Sequence, residues 1–207
     1  MTILNQVFLI STILHMYLLS LSFQIPNSSD KFFLVFQEIG LIIDNLTLYL
    51  GLFLKPSFFL KFMNQLRFFL HMVIAPTLFF PIGNLYDNYS SYVKFIIFVV
   101  SVFFSIEGFF EFLRISFVVT EEHNLIRYSR KPKASFKDII PVISLNISTL
   151  ILGSIIWYQK GDYILFITSF IMFLSAGSSE KFRFHLSNLG EVFFTFGLIH
   201  ILLNKKI

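Results

Sequence analysis

The chain has 207 residues, 56% of them hydrophobic and only 14% charged, with a formal net charge of +4. Soluble domains average about 45–50% apolar and roughly 25% charged residues, so an ordinary water-soluble domain is excluded. The absence of cysteine excludes disulfides, thiolate metal ligands and thiol nucleophiles.

Residues 1–207 are expected to form a single integral membrane domain, since no Pro/Gly/Ser-rich linker divides them. Seven apolar blocks, at 2–23, 32–54, 66–86, 93–118, 139–159, 162–179 and 185–204, predict an all-α, polytopic transmembrane bundle. About 20 apolar residues cross a ~30 Å hydrocarbon core, and a helix satisfies its own backbone there.

The first block follows Met1-Thr2-Ile3-Leu4-Asn5, which lacks the positive charge of a signal sequence. It is read as a retained helix; a cleaved signal would leave six. The second block carries Glu38 and Asp44, with Gln37 on the Asp44 face. In the third, Arg67 and His71 are one turn apart, and Pro76 frees the carbonyl of Met72, opening a backbone notch beside His71. The fourth places Glu107, Glu111 and Arg114 on one stripe at i, i+4 and i+7.

Residues 119–138 form the longest connection and read as a basic, cytoplasmic-side loop between the fourth and fifth helices. Arg127, Arg130, Lys131, Lys133 and Lys137 there anchor the topology, and such clusters also bind anionic lipid headgroups at about 1 kcal/mol per cation. A juxtamembrane loop this short does not suggest nucleic acid. The fifth block contains no charged residue, and the seventh carries Asn188, Glu191 and Thr195 as a polar stripe with His200 on the opposite face. Without a G-x-x-x-G motif, packing is expected through Phe and Leu, with few close small-residue crossings.

Loops after the second, fourth and sixth blocks, with their flanks, hold eleven of the 16 basic residues. The positive-inside rule therefore predicts a cytoplasmic N-terminus and an outside C-terminus. At 1.5 Å per residue, His71, Glu191 and Glu111 lie about 8–10 Å from the inner edge, and Asp44 and Glu107 about 15–16 Å. Glu38 falls near the outer end of its block.

Ionisable groups are costly in a bilayer and mark candidate sites. Glu107 and Glu111 can supply acid–base or metal-binding carboxylates, His71 a ligand or proton shuttle, and Glu191 with Asp44 an opposing wall. A divalent metal is the weaker expectation, because no H-x-x-x-H, H-E-x-x-H or E-x-x-H spacing occurs. Arg67 and Arg114 can equally turn these acids into a structural ion-pair network.

The seven-helix, N-inside arrangement resembles, in architecture, the alkaline ceramidase and adiponectin-receptor group of intramembrane metal-dependent amidases. Those proteins pair a helix-borne histidine with two on the last helix. Here the last helix offers His200, with His185 at its inner end, so their ligand set is not carried over. The expected functions are a membrane-embedded enzyme acting on a lipid or apolar substrate, a small proton-coupled carrier, or a non-catalytic subunit or assembly factor of a membrane complex.

Overall fold

The computed structural model describes residues 6–26, 28–85, 90–122, 124–132, 136–178 and 180–204; side chains at 28, 136–138 and 180–184 lie outside this description. The helices are α1 (Gln6–Ser22), α2 (Ser28–Leu50), α3 (Phe58–Phe69), α4 (Phe79–Asn84), α5 (Ser91–Arg114), α6 (Phe136–Lys160), α7 (Ile164–Ala176) and α8 (Glu180–Asn204). A π-helical turn (Leu70–Ile74) and a 3-10 turn (Ala75–Leu78) join α3 to α4. Together they make one continuous stretch, Phe58–Asn84.

Among the described residues, five stretches are long and apolar enough to cross a membrane: Ser29–Leu50, Phe58–Asn84, Ser91–Arg114, Ile139–Lys160 and His185–Asn204. α1 and α7, with 17 and 13 residues, are apolar but shorter. At 1.5 Å per residue they extend about 26 and 20 Å. Each predicted block therefore contains a helix, and among the described residues two of these helices are shorter than a full span.

The connection between α5 and α6 contains sheet. Most of it is an antiparallel hairpin of β1 (Ser116–Glu122) and β2 (Leu125–Lys131), in register from Ser116 opposite Lys131 to Glu122 opposite Leu125. Phe117, Val118, Val119 and Thr120 are β-branched or aromatic, which favours a half-buried pleated surface. That preference also ends α5 at Arg114, four residues before the predicted boundary. Asn124 takes the left-handed backbone conformation (φ 62°) that a tight hairpin turn requires. Leu125 is buried against Phe8 and Leu48, and the Ile126 amide donates to the Gly51 carbonyl at 2.9 Å. The hairpin thus closes one end of the α1–α2 pair, the hairpin end of the bundle.

Packing runs round the molecule: α6 on α7, α7 on α8, α8 on α1, α1 on α2, α2 on α3 and the π turn, and these on α5. The expectation of few small-residue crossings fails at α7–α8. Gly190 faces Ser175 and Gly197 faces Thr168, so closely that a β-carbon at either glycine would overlap the opposing hydroxyl. Two glycines one heptad apart do here what G-x-x-x-G does in tighter crossings.

On the far side of the ring, α6 rests on α7 and on the 3-10 turn. It leaves a cleft of about 870 Å³ against α5, lined by the π turn, the hairpin root and both helices.

Candidate functional site

Pro76 has no amide hydrogen, so the helical bond to Met72 four residues earlier cannot form. The chain responds by widening: the Ala75 amide donates to the Leu70 carbonyl, five residues back. Widened turns of this kind occur mostly as single insertions and often at functional sites. Gly108 of α5 approaches the exposed Met72 carbonyl so closely that a β-carbon would overlap it. One helical turn or two further along, Ser101 Oγ donates to the Pro76 carbonyl at 3.0 Å. The predicted notch is thus filled by α5 itself, and Glu107 and Glu111 flank the glycine that fills it.

His71 lies in the widened turn. One side of its ring borders the α5–α6 cleft, where 34% of the side chain is exposed; its Nε2 stands 3.4 Å from Asp44 Oδ2. Asp44, on α2, is 3% exposed and accepts from Nε of the buried Arg67. Glu191 of α8 stands behind this cluster, within electrostatic reach of His71, Asp44, His15 and Arg67. Its Oε2 is buried without a hydrogen-bond partner among the described residues.

The residues expected to form one layer fall into two groups on either side of His71. Asp44 and Glu191 lie behind the ring inside the bundle; Glu107 and Glu111 lie in the cleft in front of it. The expected arginine pairings are corrected. Arg67 pairs with Asp44; Arg114 makes no ion pair among the described residues; and Glu111 is faced by Arg130 of β2, Nη2 to Oε1 3.8 Å.

Of the predicted headgroup contacts, Arg127 bonds Glu122 at 2.8 Å, Arg130 turns toward Glu111, and Lys131 is exposed. Lys133 and the side chain of Lys137 lie outside the described residues. Burial and the nearby Arg67 hold the Arg127 guanidinium below its ordinary pKa.

Sequence reading missed a second buried pair. His15 Nδ1 and Glu38 Oε2 are 2.7 Å apart, and both side chains are fully enclosed. Because α2 begins at Ser28, Glu38 lies near mid-helix, about 15 Å from that end and about 18 Å from Leu50; its expected place near the outer end is corrected. The available signal was on α1, where Ser11, Thr12, His15 and Ser22 share the buried stripe. Removing one partner of a buried pair strands the other, at about 3–5 kcal/mol. Glu38→Ala is expected to lose that much in a denaturant titration of micelle-held protein, and His15→Ala with Glu38→Ala to lose less than the sum of the two. Simple additivity would show that the pair is not coupled.

His200 meets Asp162 Oδ2 at 3.1 Å and joins α8 to the α6–α7 connection, away from His71. Among the described residues, no three His, Asp or Glu side chains are placed to share a metal ion. No protein-family model matches this sequence, and a comparison with curated proteins finds no match.

Proposed function

We propose that the chain is a multi-pass membrane protein, its hairpin end on the cytoplasmic side, that performs acid–base chemistry on a lipid-like amphiphile held in the α5–α6 cleft. The observation that carries this reading is His71, exposed to the cleft in front and backed by a buried carboxylate. An imidazole oriented by a carboxylate is the common form of a general base. With Nε2 toward Asp44, Nδ1 is left to take a proton from a hydroxyl or water in the cleft. Asp44 stabilises the imidazolium that results, and Arg67 holds Asp44 in place. Glu107 and Glu111 line the same space and can return a proton to a leaving group. The cleft volume lies within the about 300–1,000 Å³ usual for small-molecule sites, and its walls include Phe103, Phe104 and Leu145.

The carrier reading has less support. His15, Glu38 and Glu191 continue the polar seam away from His71, but beyond Glu38 the residues Leu18, Leu34 and Leu78 are buried in an apolar cluster. A relay would need polar groups there.

The test is turnover by the purified protein in mixed phospholipid vesicles, followed by mass spectrometry of the lipids. His71→Ala is expected to lower turnover by about 10²–10⁴, the usual contribution of a positioned acid or base. Equal turnover by the wild type and His71→Ala would overturn the proposal.

A further inference from the structure

The hairpin has one edge covered and one open. β2 packs on α3 and α2, and its Ile126 amide donates to the Gly51 carbonyl. β1 is therefore the outer strand of a two-stranded sheet, paired with β2 alone among the described residues. Ser116, Val118, Val119, Glu121 and Glu122 are exposed, so no side chain of the bundle covers this strand. An open edge is a template for a further strand, and natural sheets blunt it with lysine, proline or a bulge. β1 has none of these: it reads Ser-Phe-Val-Val-Thr-Glu-Glu, and its register with β2 is unbroken.

The placement of β1 selects the partner. At its root Phe117 meets the rings of Phe68 on α3 and Phe112 on α5, whereas the tip of the hairpin seats Leu125 against Leu48 of α2. β1 thus runs across the end of the bundle and not along the helices. Two copies of the chain in one bilayer share their direction along the membrane normal, so a two-fold axis between them lies along that normal. Such an axis reverses every in-plane direction and sets the two β1 strands antiparallel. Full overlap of the strands places Val119 on the axis, Val118 opposite Thr120, Phe117 opposite Glu121 and Ser116 opposite Glu122. The central positions are β-branched and suit a pleated surface, and no like charges stand opposite one another. Charge is complementary at the ends. Arg114 closes α5 just before β1, exposed and without an ion pair among the described residues. The same overlap brings Glu121 and Glu122 of the second copy to that end.

We propose that the chain forms a two-fold dimer in the membrane by pairing β1 with β1 of a second copy, which joins the two hairpins into one continuous sheet. Main-chain hydrogen bonds along the open edge hold the copies together, and the Val119 axis with the Arg114 and glutamate ends fixes the register. The dimer needs the membrane placement but not the chemistry at His71, so it stands or falls separately from the reading of the cleft.

The chain has no native cysteine, so a single introduced cysteine reports on one position. The test is disulfide cross-linking of the full chain in phosphatidylcholine vesicles under mild oxidation. Val119→Cys is expected to give a linked dimer, since directly opposed residues on antiparallel strands lie about 4.5–5.5 Å apart at their α-carbons. Ser116→Cys is expected not to, because its two copies are displaced by about 20 Å along the strands. Mixed with Glu122→Cys protein in the same vesicles, Ser116→Cys is expected to cross-link. Arg114→Glu is expected to slow cross-linking of Val119→Cys by about tenfold, since it sets like charges together. Adding Glu121→Arg is expected to restore the rate, which also shows that the charge-swapped chain still folds. Ser116→Cys linking as fast as Val119→Cys overturns the antiparallel register. Val119→Cys that stays monomeric at high protein-to-lipid ratio overturns the dimer.

Discussion

Gly108→Ala is expected to push α5 away from the π turn and to destabilise the protein by about 1–3 kcal/mol or more, the range for overpacking a filled contact. The added methyl would overlap the backbone carbonyl of Met72, which cannot rotate aside as a side chain could. Relief requires either α5 or the π turn to move, and both carry groups of the candidate site. The control is Gly40→Ala on α2, where the methyl would meet the Leu70 side chain at 3.6 Å, an ordinary contact. That variant is expected to be neutral or slightly stabilising, because alanine is the better helix former. Denaturant titration in micelles reads the stability, and photolabelling of the cleft reads its shape. Equal stability of the two alanine variants would show that α5 is not seated on Met72.

Asp44→Ala is expected to have the other large effect, because one carboxylate serves two neighbours. Arg67 is 8% exposed and loses its counter-charge, so stability is expected to fall by about 3–5 kcal/mol. His71 simultaneously loses the group that orients it. The two consequences separate with a second substitution. Asp44→Asn with Arg67→Gln removes the stranded charge and is expected to recover much of the stability, a coupling that a double-mutant cycle measures. It leaves His71 without the carboxylate that stands at its Nε2, so turnover is expected to stay low. His71→Ala shows the converse: its side chain is one-third exposed, and its loss is expected to cost activity more than stability. If the double variant recovered turnover along with stability, Asp44 would be structural only.

Some of the site was legible before any contact was known. Pro76 must release the Met72 carbonyl wherever the chain goes, so a notch beside His71 follows from covalent structure. Counting 1.5 Å per residue brought His71, Glu107, Glu111, Glu191 and Asp44 to similar depths. Depth does not determine azimuth. Nothing in the spacing of Glu107 and Glu111 says that they face a cleft against α6 while Glu191 faces α1 and α2. Arg67 could reach several acids by depth, and only the packing of α2 on α3 selected Asp44.

The hairpin was missed for a different reason. Ile115, Phe117, Val118 and Val119 carry the hydrophobicity of α5 on past Arg114, so hydropathy hides the change from helix to strand. The run of Phe117, Val118 and Val119 was the readable signal, and β-propensity is weak until a partner strand and a buried face support it. The His15–Glu38 pair joins residues 23 apart on separate helices, beyond the reach of any local rule.

By itself the sequence determined that this protein is helical and apolar enough for a bilayer, and which ionisable groups its helices must carry. Those properties follow from composition, period and rise, which each helix has alone. Only the tertiary structure decided that α5 seats Gly108 on a freed carbonyl, that Asp44 serves both Arg67 and His71, and that α5 and α6 leave a charged cleft between them. Those depend on how helices are rotated against one another. That rotation is set by the sum of many small packing contacts, and no short stretch of the chain contains it.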